Sequence, residues 1–363
     1  MLLLNTKLVL ACLFLSIHCF GQQDSSGLEN TRWQIIPMIS SSPETGLLLG
    51  ANPIRTFKTN PSDSLVRPSF LSAQLFGTFK KQFGLTTQGN LFFQQNTYIL
   101  EFTISGLINV WRYYGIGTEV DLEQYDSYDF RAITGDVILF RQVIPKIYLG
   151  AGYRYNHQYI PTPSEGGLLD TDRPRGYRGF TASGPAAVIR WDSRDNILNA
   201  YRGSFFNLRG ELHRTALGSS HPFEVFTADF RKYIPLSKKP FHVLAFQVQH
   251  QARFGQVPFA ELSMLGGGMI NRGYFSGAYR DKHLLSIQAE YREMLDEKFG
   301  AVFFASAGNT MPAYNELDLD DTRLAIGVGL RYALLPENRI NLRLDFAWGQ
   351  DSQGLYVGIA ESF

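Results

Sequence analysis

The sequence predicts an all-β fold, a transmembrane antiparallel β-barrel of about sixteen strands. Three observations predict it: an apolar N-terminal leader, an alternation of apolar and polar side chains that recurs along the chain, and an asymmetry between long and short connections. After residue 21 no window approaches the roughly 18 consecutive apolar residues of a transmembrane helix. We therefore expect the chain to cross a membrane with strands.

The leader has the pattern of a secretory signal peptide, with Lys7 ahead of an apolar run from Leu8 to Ile17. This run is shorter than the ~20 residues that span a bilayer, which disfavours a membrane anchor. We expect a signal peptide over residues 1–21, a short periplasmic segment over 22–31 and a barrel over 32–363, in the bacterial outer membrane. Both cysteines, Cys12 and Cys19, fall in the leader, so the mature chain has no cysteine site.

The alternation is clearest in two neighbouring segments. From Arg323 to Tyr332, and again from Arg339 to Trp348, every even position is apolar, while the odd positions carry Arg, Asn, Asp, Ala or Gly. A period of two indicates a β-strand. A soluble sandwich has the same pattern, so the repetition of segments with about 9 to 11 residues is what favours a membrane barrel.

Sixteen segments follow this pattern, an even number as single-chain bacterial barrels require. They cover residues 32–40, 46–56, 68–80, 82–93, 97–105, 127–140, 145–159, 180–191, 202–214, 221–234, 240–253, 281–294, 298–308, 321–332, 338–349 and 352–363. If the first strand starts in the periplasm, the odd connections are extracellular. They include the three longest, residues 106–126, 160–179 and 254–280.

Composition and motifs disfavour nucleic-acid binding and catalysis. The chain has 34 Lys+Arg against 33 Asp+Glu, which gives no support to a polyanion-binding surface. It has no Gly-x-Ser-x-Gly elbow, no phosphate-binding Gly-x-x-x-x-Gly-Lys and no paired histidines at zinc-ligand spacing. We expect no enzymatic activity, no metal and no cofactor.

The connection between the eleventh and twelfth segments carries the triplet Arg272-Gly273-Tyr274. It resembles the Arg-Gly-aromatic signature in the sixth extracellular loop of the bacterial surface antigen barrels, the BamA/TamA-like superfamily. The resemblance implies sixteen strands and a sixth loop that folds back into the lumen. It also implies that acidic side chains on the following strands hold the arginine, whose planar fork suits a carboxylate.

Glu290 matches the acid that this family places on its twelfth strand, whereas Ser306 stands where the thirteenth strand has Asp. We therefore expect Arg272 to have one charge partner instead of two. Together with Gly273, whose lack of a side chain allows a sharp bend, and Tyr274, these residues are predicted to anchor or gate the loop.

Three further stretches resemble the family, and the resemblance covers about residues 100–363. The segment Arg112–Gly117 is similar to an aromatic and glycine segment of its third loop. Ile197 and Ala200 replace the prolines of its turn between the eighth and ninth strands, where the matching residues are Asp192, Arg194, Asp195, Asn196 and Gly203. The last segment resembles the C-terminal β-signal for barrel assembly, at Gly354, Val357, Ile359 and Phe363.

The resemblance implies a role in outer-membrane biogenesis, as insertion or translocation of protein or lipid by lateral opening between the first and last strands. Such relatives carry periplasmic POTRA modules, for which residues 22–31 leave no room. Outer-membrane lipid and the barrel-assembly machinery are the expected partners, and a separate periplasmic partner could replace the modules. The alternatives are a passive pore or carrier for a small solute or lipid, or the barrel subunit of a larger complex. Pro37, which cannot donate to a ladder, fits a weak first strand or an ordinary strand start.

Overall fold

The structure, a computed structural model, describes residues 33–363 apart from 64, 162 and 240. The predicted signal peptide and periplasmic segment lie outside the described residues. The predicted barrel is confirmed: sixteen antiparallel strands close into a ring in which the first strand pairs with the last. Among the described residues no helix is long and apolar enough to cross a membrane.

The barrel strands follow one another around the ring in chain order. Their bounds are β1 Gln34–Ser42, β2 Gly46–Phe57, β3 Ser69–Thr78, β4 Phe83–Phe93, β5 Tyr98–Tyr113, β6 Asp126–Ile144, β7 Ile147–Tyr159, β8 Gly179–Asp192, β9 Gly203–His213, β10 Phe223–Pro235, β11 Val243–Gly255, β14 His283–Met294, β15 Phe299–Met311, β16 Arg323–Leu335, β17 Ile340–Gly349 and β18 Ser352–Ile359. A separate two-stranded sheet, β12 Ser263–Leu265 and β13 Tyr279–Asp281, lies within the connection between β11 and β14. A short helix, α1 Leu168–Asp172, lies between β7 and β8.

Burial follows the predicted alternation, with the apolar face outermost. On β16 the side chains of Leu324, Ile326 and Val328 are exposed, whereas Arg331 is only 1% exposed. On β17 Leu344 and Trp348 are exposed. On these two strands the ring presents hydrocarbon outward and holds charged side chains inside, which is the arrangement of a membrane barrel.

The fifth segment was predicted to end at residue 105, but β5 continues to Tyr113 and β6 begins at Asp126. The prediction was wrong because the alternation fails where both faces of a strand are apolar. Ile108 is exposed on the outer face, while Leu107 packs on the inner face against a buried cluster that includes Tyr113 and Phe130. Arg112 and Tyr113 thus belong to a strand and not to the third loop.

The last segment was predicted to run to residue 363, but β18 ends at Ile359. Ala360 has a left-handed backbone, with φ of 68°. The chain leaves the sheet there, and Glu361, Ser362 and Phe363 are buried. We call residues 360–363 the terminal segment.

The turn between β8 and β9, residues 193–202, returns to the sheet at Gly203, whose φ is 106°. A Cβ atom at this position would overlap the backbone of Ser193 and Arg194. Glycine is therefore required both by the backbone conformation and by the close approach of the opposite chain.

We predict that Gly203→Ala destabilises the barrel by about 1–3 kcal/mol, because a side chain is forced into a strained conformation. The urea midpoint for loss of the folded, heat-modifiable band measures this effect. Gly135→Ala is the matched control, since a Cβ atom at Gly135 would meet nothing within 4 Å. Equal midpoints for the two variants would contradict the strain at Gly203.

Candidate functional site

The connection between β11 and β14, residues 256–282, is the sixth loop of the barrel, and its residues contact inner-face side chains of several strands. Asn271 accepts a hydrogen bond from the Ser286 hydroxyl on β14. The Gln288 amide on the same strand donates to the Met269 carbonyl at 3.0 Å. On the far side of the ring, the Trp111 indole of β5 donates to the Ser276 carbonyl at 3.1 Å.

Arg272 lies at the centre of these contacts and is 1% exposed. Its guanidinium forms an ion pair with Glu290 of β14 and a second one with Asp345 of β17, at 2.5 Å from Nη1 to Oδ2. The guanidinium carbon also lies 3.6 Å from the centre of the Phe304 ring. Because both carboxylates are fully buried, each depends on its arginine partners to offset its lost hydration.

The expectation of a single charge partner for Arg272 was wrong. Ser306 faces inward on β15 beside Gln288, and within the described chain no hydrogen bond joins it to Arg272. Asp345 supplies the second carboxylate from two strands further round the ring. The physical reason is that a buried guanidinium carries five donors and needs more than one acceptor group, from whichever strand lies within reach.

The ion pairs of Arg272 are part of a larger set of buried charges, which we call the anchor network. Arg331 pairs with both Asp345, at 2.6 Å, and Glu361, at 2.8 Å. Arg292 pairs with Glu290 at 2.7 Å. The network contains four arginines and three acids, namely Arg272, Arg292, Arg331, Arg343, Glu290, Asp345 and Glu361.

The terminal segment is held by the same network. The Ser362 hydroxyl donates to Glu290 at 2.7 Å, on the carboxylate oxygen that Arg272 also contacts. The Asn341 amide donates to Glu361 at 2.8 Å. Glu290 therefore lies between the sixth loop and the end of β18, in contact with both.

Gly273 and Tyr274 attach the loop to the last strands. Gly273 has a φ of 112°, and its N–H donates to the Tyr356 hydroxyl of β18 at 3.0 Å. The Tyr274 hydroxyl donates to the Leu324 carbonyl of β16 at 2.6 Å and accepts from the Gln350 N–H at 2.8 Å. A side chain at Gly273 would crowd the backbone of Trp348 and Gly349 at the end of β17.

The predicted family turn lies at the opposite end of the barrel from the sixth loop. Asp192 pairs with Arg194 at 2.8 Å, and Asn196 accepts two backbone N–H groups of the turn. Asp195 accepts the Tyr201 N–H at 3.0 Å and pairs with Arg339 of the β16–β17 connection at 2.7 Å. This ion pair therefore joins the β8–β9 turn to the β16–β17 connection.

Burial of the Asp195 carboxyl by itself raises its pKa. The hydrogen bonds from Arg339 and from the backbone N–H groups of Tyr201 and Arg202 lower the pKa by more than burial raises it. The net result is a pKa below the ordinary value of 3.8. Asp195 is therefore ionised at neutral pH and favours the folded turn in that state.

The predicted assembly-signal residues divide into two groups. Val357 and Ile359 lie on β18, where the Val357 carbonyl accepts the Ser40 hydroxyl of β1 at 2.7 Å. Gly354 leaves room for the Tyr356 ring, which contacts the sixth loop. Phe363 follows the strand and is buried in a cluster with Ala200, Tyr233, Val243 and Ala245. It thus packs beside the turn of residues 193–202.

Sequence reasoning missed Asp345, Arg331 and Glu361. Asp345 and Arg331 stood on the inner face that the alternation had identified, so their burial could be foreseen. Their mutual pairing could not, because it depends on the register of β16 against β17 and on where β18 leaves the sheet. Among the described residues no group of three or more His, Cys, Asp or Glu side chains is placed to hold a metal ion.

Comparisons with known proteins agree with this fold. A sequence profile of the Omp85 superfamily domain matches residues 56–363. The structure is similar to that of BamA from Haemophilus ducreyi lacking POTRA domains 1–3, with a TM-score of 0.63 and 15% identity, over 92% of this chain and 70% of that one. It is also similar to CdiB from Acinetobacter baumannii, with a TM-score of 0.60 and 12% identity, over 92% of this chain and 60% of that one. Among curated proteins, none has a matching sequence.

We predict that Arg272→Met destabilises the barrel by about 3 kcal/mol, because it leaves two buried carboxylates with one partner fewer. The urea midpoint of the folded band and the rate of proteolysis in the sixth loop measure the effect. Adding Glu290→Gln and Asp345→Asn should deepen the loss, since Arg292, Arg331 and Arg343 would then face Glu361 alone. Arg173→Met is the control, on an arginine whose side chain is 63% exposed. An Arg272→Met barrel as stable and as protease-resistant as the control would refute the anchor.

We predict a pH-dependent contribution from Asp195. Because the pKa of its carboxyl is lower in the folded protein, the stabilisation is fully present above the unfolded pKa of ~3.9 and is lost as pH falls through the folded value. The difference in urea midpoint between the wild type and Asp195→Asn should therefore persist down to about pH 4 and vanish at lower pH. When both proteins also carry Arg339→Met, the difference in urea midpoint caused by Asp195→Asn should be smaller at neutral pH, because Asp195 has lost its ion-pair partner. A difference that does not depend on pH would contradict this assignment.

Proposed function

This chain belongs to the Omp85 superfamily, and from that premise we propose that it inserts or translocates protein or lipid at the bacterial outer membrane by lateral opening between β1 and β18. The proposal includes an outer-membrane barrel whose odd connections, the sixth loop among them, start from the extracellular side. It also includes export by a cleaved signal peptide and a role without catalysis. The sixth loop is proposed to fold back into the lumen and to gate it through Arg272, Gly273, Tyr274 and Glu290.

The observation that carries this proposal is the weak junction between β1 and β18, which we call the seam. Within the described strands the register across the seam is the single pair Ser41 and Val357. On its other edge β1 is paired with β2 along its whole length, from Gln34 to Ser42. The seam therefore has far less backbone hydrogen bonding to break than its neighbours.

The seam is short because the terminal segment leaves the sheet. Continuing the register of Ser41 and Val357 would place Pro37 opposite Glu361. Glu361 is instead paired with Arg331 inside the barrel. Among the described residues, positions 34–37 of β1 thus have no strand partner on the seam side. An exposed strand edge is a template for pairing with another chain.

The anchor network links this seam to the sixth loop. Glu290 contacts Arg272 of the loop and Ser362 of the terminal segment. A displacement of the loop that removes Arg272 from Glu290 would also disturb the contacts that hold the terminal segment away from β1. This arrangement supports a gate in which the loop and the seam open together.

We predict that a disulfide across the seam slows activity at least about tenfold. The variant carries Ser41→Cys and Val357→Cys, at Cα-paired positions within disulfide range. No other cysteine lies beyond residue 19. The assay follows the folded band of an unfolded client barrel in liposomes with and without the protein. We expect the reduced variant to accelerate folding like the wild type, and the oxidised variant to lose at least about tenfold in rate, which corresponds to 1.4 kcal/mol.

The matched control places Leu330→Cys and Leu344→Cys across β16 and β17, where the ladder is continuous. This disulfide should leave the rate unchanged. Equal rates for the oxidised and reduced seam variants would exclude lateral opening. If the wild type itself gives no acceleration, the insertase proposal fails, and isolation of the barrel from native membranes would then test for a separate periplasmic partner.

A passive pore or carrier is the second candidate, and one observation favours it. The inner faces of β3 to β9 line a cavity of about 510 Å³ that contains charged side chains. Its arginines are paired with acids, Arg190 with Glu101 at 2.6 Å and Arg209 with Asp136 at 2.8 Å. Steady ion conductance in planar bilayers, unaffected by the seam disulfide, would favour this candidate.

A further inference from the structure

The outer face of β3 to β7 has a notch where a glycine interrupts a row of side chains. The cross-strand register aligns five outward positions, Leu75, Leu85, Gly106, Ile133 and His157. Gly106 is the member of this row without a side chain, and a Cβ atom there would meet nothing within 4 Å. The result is an open groove of about 610 Å³ on the outside of the barrel.

The walls of the groove are almost entirely hydrocarbon. Phe83, Ile108 and Ile133 lie around Gly106, and each is at least half exposed. A groove of this composition, on the face of a barrel that is turned to the membrane, fits a lipid acyl chain.

A basic side chain stands at one end of the groove. The neighbouring row, on the side of the long connections, runs through Phe83, Ile108, Arg131 and Tyr159. Arg131 is exposed, and within the described chain no ion pair or hydrogen bond engages its side chain. The nearest acid along the outer face of β6 is Asp129, two positions further from the groove, and no ion pair joins it to Arg131.

The depth of Arg131 can be judged from its own strand. Arg141 lies on the same face of β6, near the opposite end. Ten residues of a strand tilted as in membrane barrels span about 25 Å along the membrane normal, which is the height of the apolar band. Between the two arginines the outward side chains include Ile133, Val137 and Leu139, all exposed. Arg131 and Arg141 therefore mark the two boundaries of the band.

An unpaired arginine at a bilayer boundary places its guanidinium at the level of the lipid headgroups. Its planar donors match a phosphate group in bidentate geometry. Tyr159, directly beside Arg131 in the register, has the amphipathic ring that suits the same level. His157, the last residue of the row that contains Gly106, forms a hydrogen bond of 2.9 Å between its Nδ1 atom and the Thr181 hydroxyl.

We propose that this groove is a binding site for a phosphorylated, acylated glycolipid of the outer leaflet. One acyl chain occupies the notch over Gly106, and Arg131 binds a phosphate of the headgroup. The site is separate from the seam and from the anchor network, and it goes beyond the function proposed above. It depends on the topology in which the long connections are extracellular.

The test is native mass spectrometry of the purified full-length mature chain in detergent, titrated with lipid A. We expect a lipid A adduct on the wild type, at least tenfold weaker in Arg131→Met and in Gly106→Phe, which fills the notch. Arg141→Met is the matched control, an arginine on the same face of the same strand at the other boundary. Gly106→Ala, which leaves most of the groove open, should bind as the wild type does.

Three results would overturn the proposal. Equal binding by the wild type, Arg131→Met and Gly106→Phe would show that the groove is not the site. Equal binding of dephosphorylated lipid A would remove the role of Arg131. Equal competition by phosphatidylglycerol would show that the site does not select the outer-leaflet lipid. Client folding in liposomes of phospholipid alone should be unchanged in Arg131→Met, so failure of this site can be told apart from failure of the proposed function.

Discussion

The rest of the structure depends on the ion pairs that Arg272 makes with Glu290 and Asp345. All three side chains are buried, so neither the arginine nor the carboxylates are favourable alone in the barrel interior. Their pairing fixes the sixth loop against β14 and β17, and through Ser362 it also fixes the course of the chain beyond β18. Loop position and seam length are therefore two results of one electrostatic constraint.

The fold could be predicted from the sequence because alternation is a local property that the β-strand repeats exactly every two residues. Sixteen strands, and the faces of β16 and β17, follow from it without any knowledge of partners. The prediction failed where local pattern and tertiary environment diverge. Leu107 and Ile108 are both apolar because the inner face of β5 packs against a buried cluster, whereas its outer face is turned to the membrane. The inward turn at Ala360 has no local signal, since alanine rarely adopts a positive φ.

The candidate site could be predicted only in part, and for a related reason. A motif identifies Arg272 and Glu290 because the loop and the next strand are adjacent in the chain. Asp345 lies 73 residues from Arg272, and its contact depends on ring closure and strand register, which no local pattern encodes. The departure at Ser306 could be seen in the sequence, but not the strand that compensates for it. The groove over Gly106 likewise could not be predicted from the sequence, since it exists only when five strands are aligned in register.

The anchor network also has a consequence for the order of assembly. Its arginines come from the sixth loop, β14, β16 and β17, whereas Glu361 follows β18. Until that last strand is in place, four arginines face two carboxylates. A partly built barrel therefore lacks one of the three acids of the network, and arrival of the final strand both closes the wall and brings Glu361 to Arg331. Completion of the anchor network is therefore coupled to closure of the ring, because Glu361 reaches Arg331 only when β18 is in place.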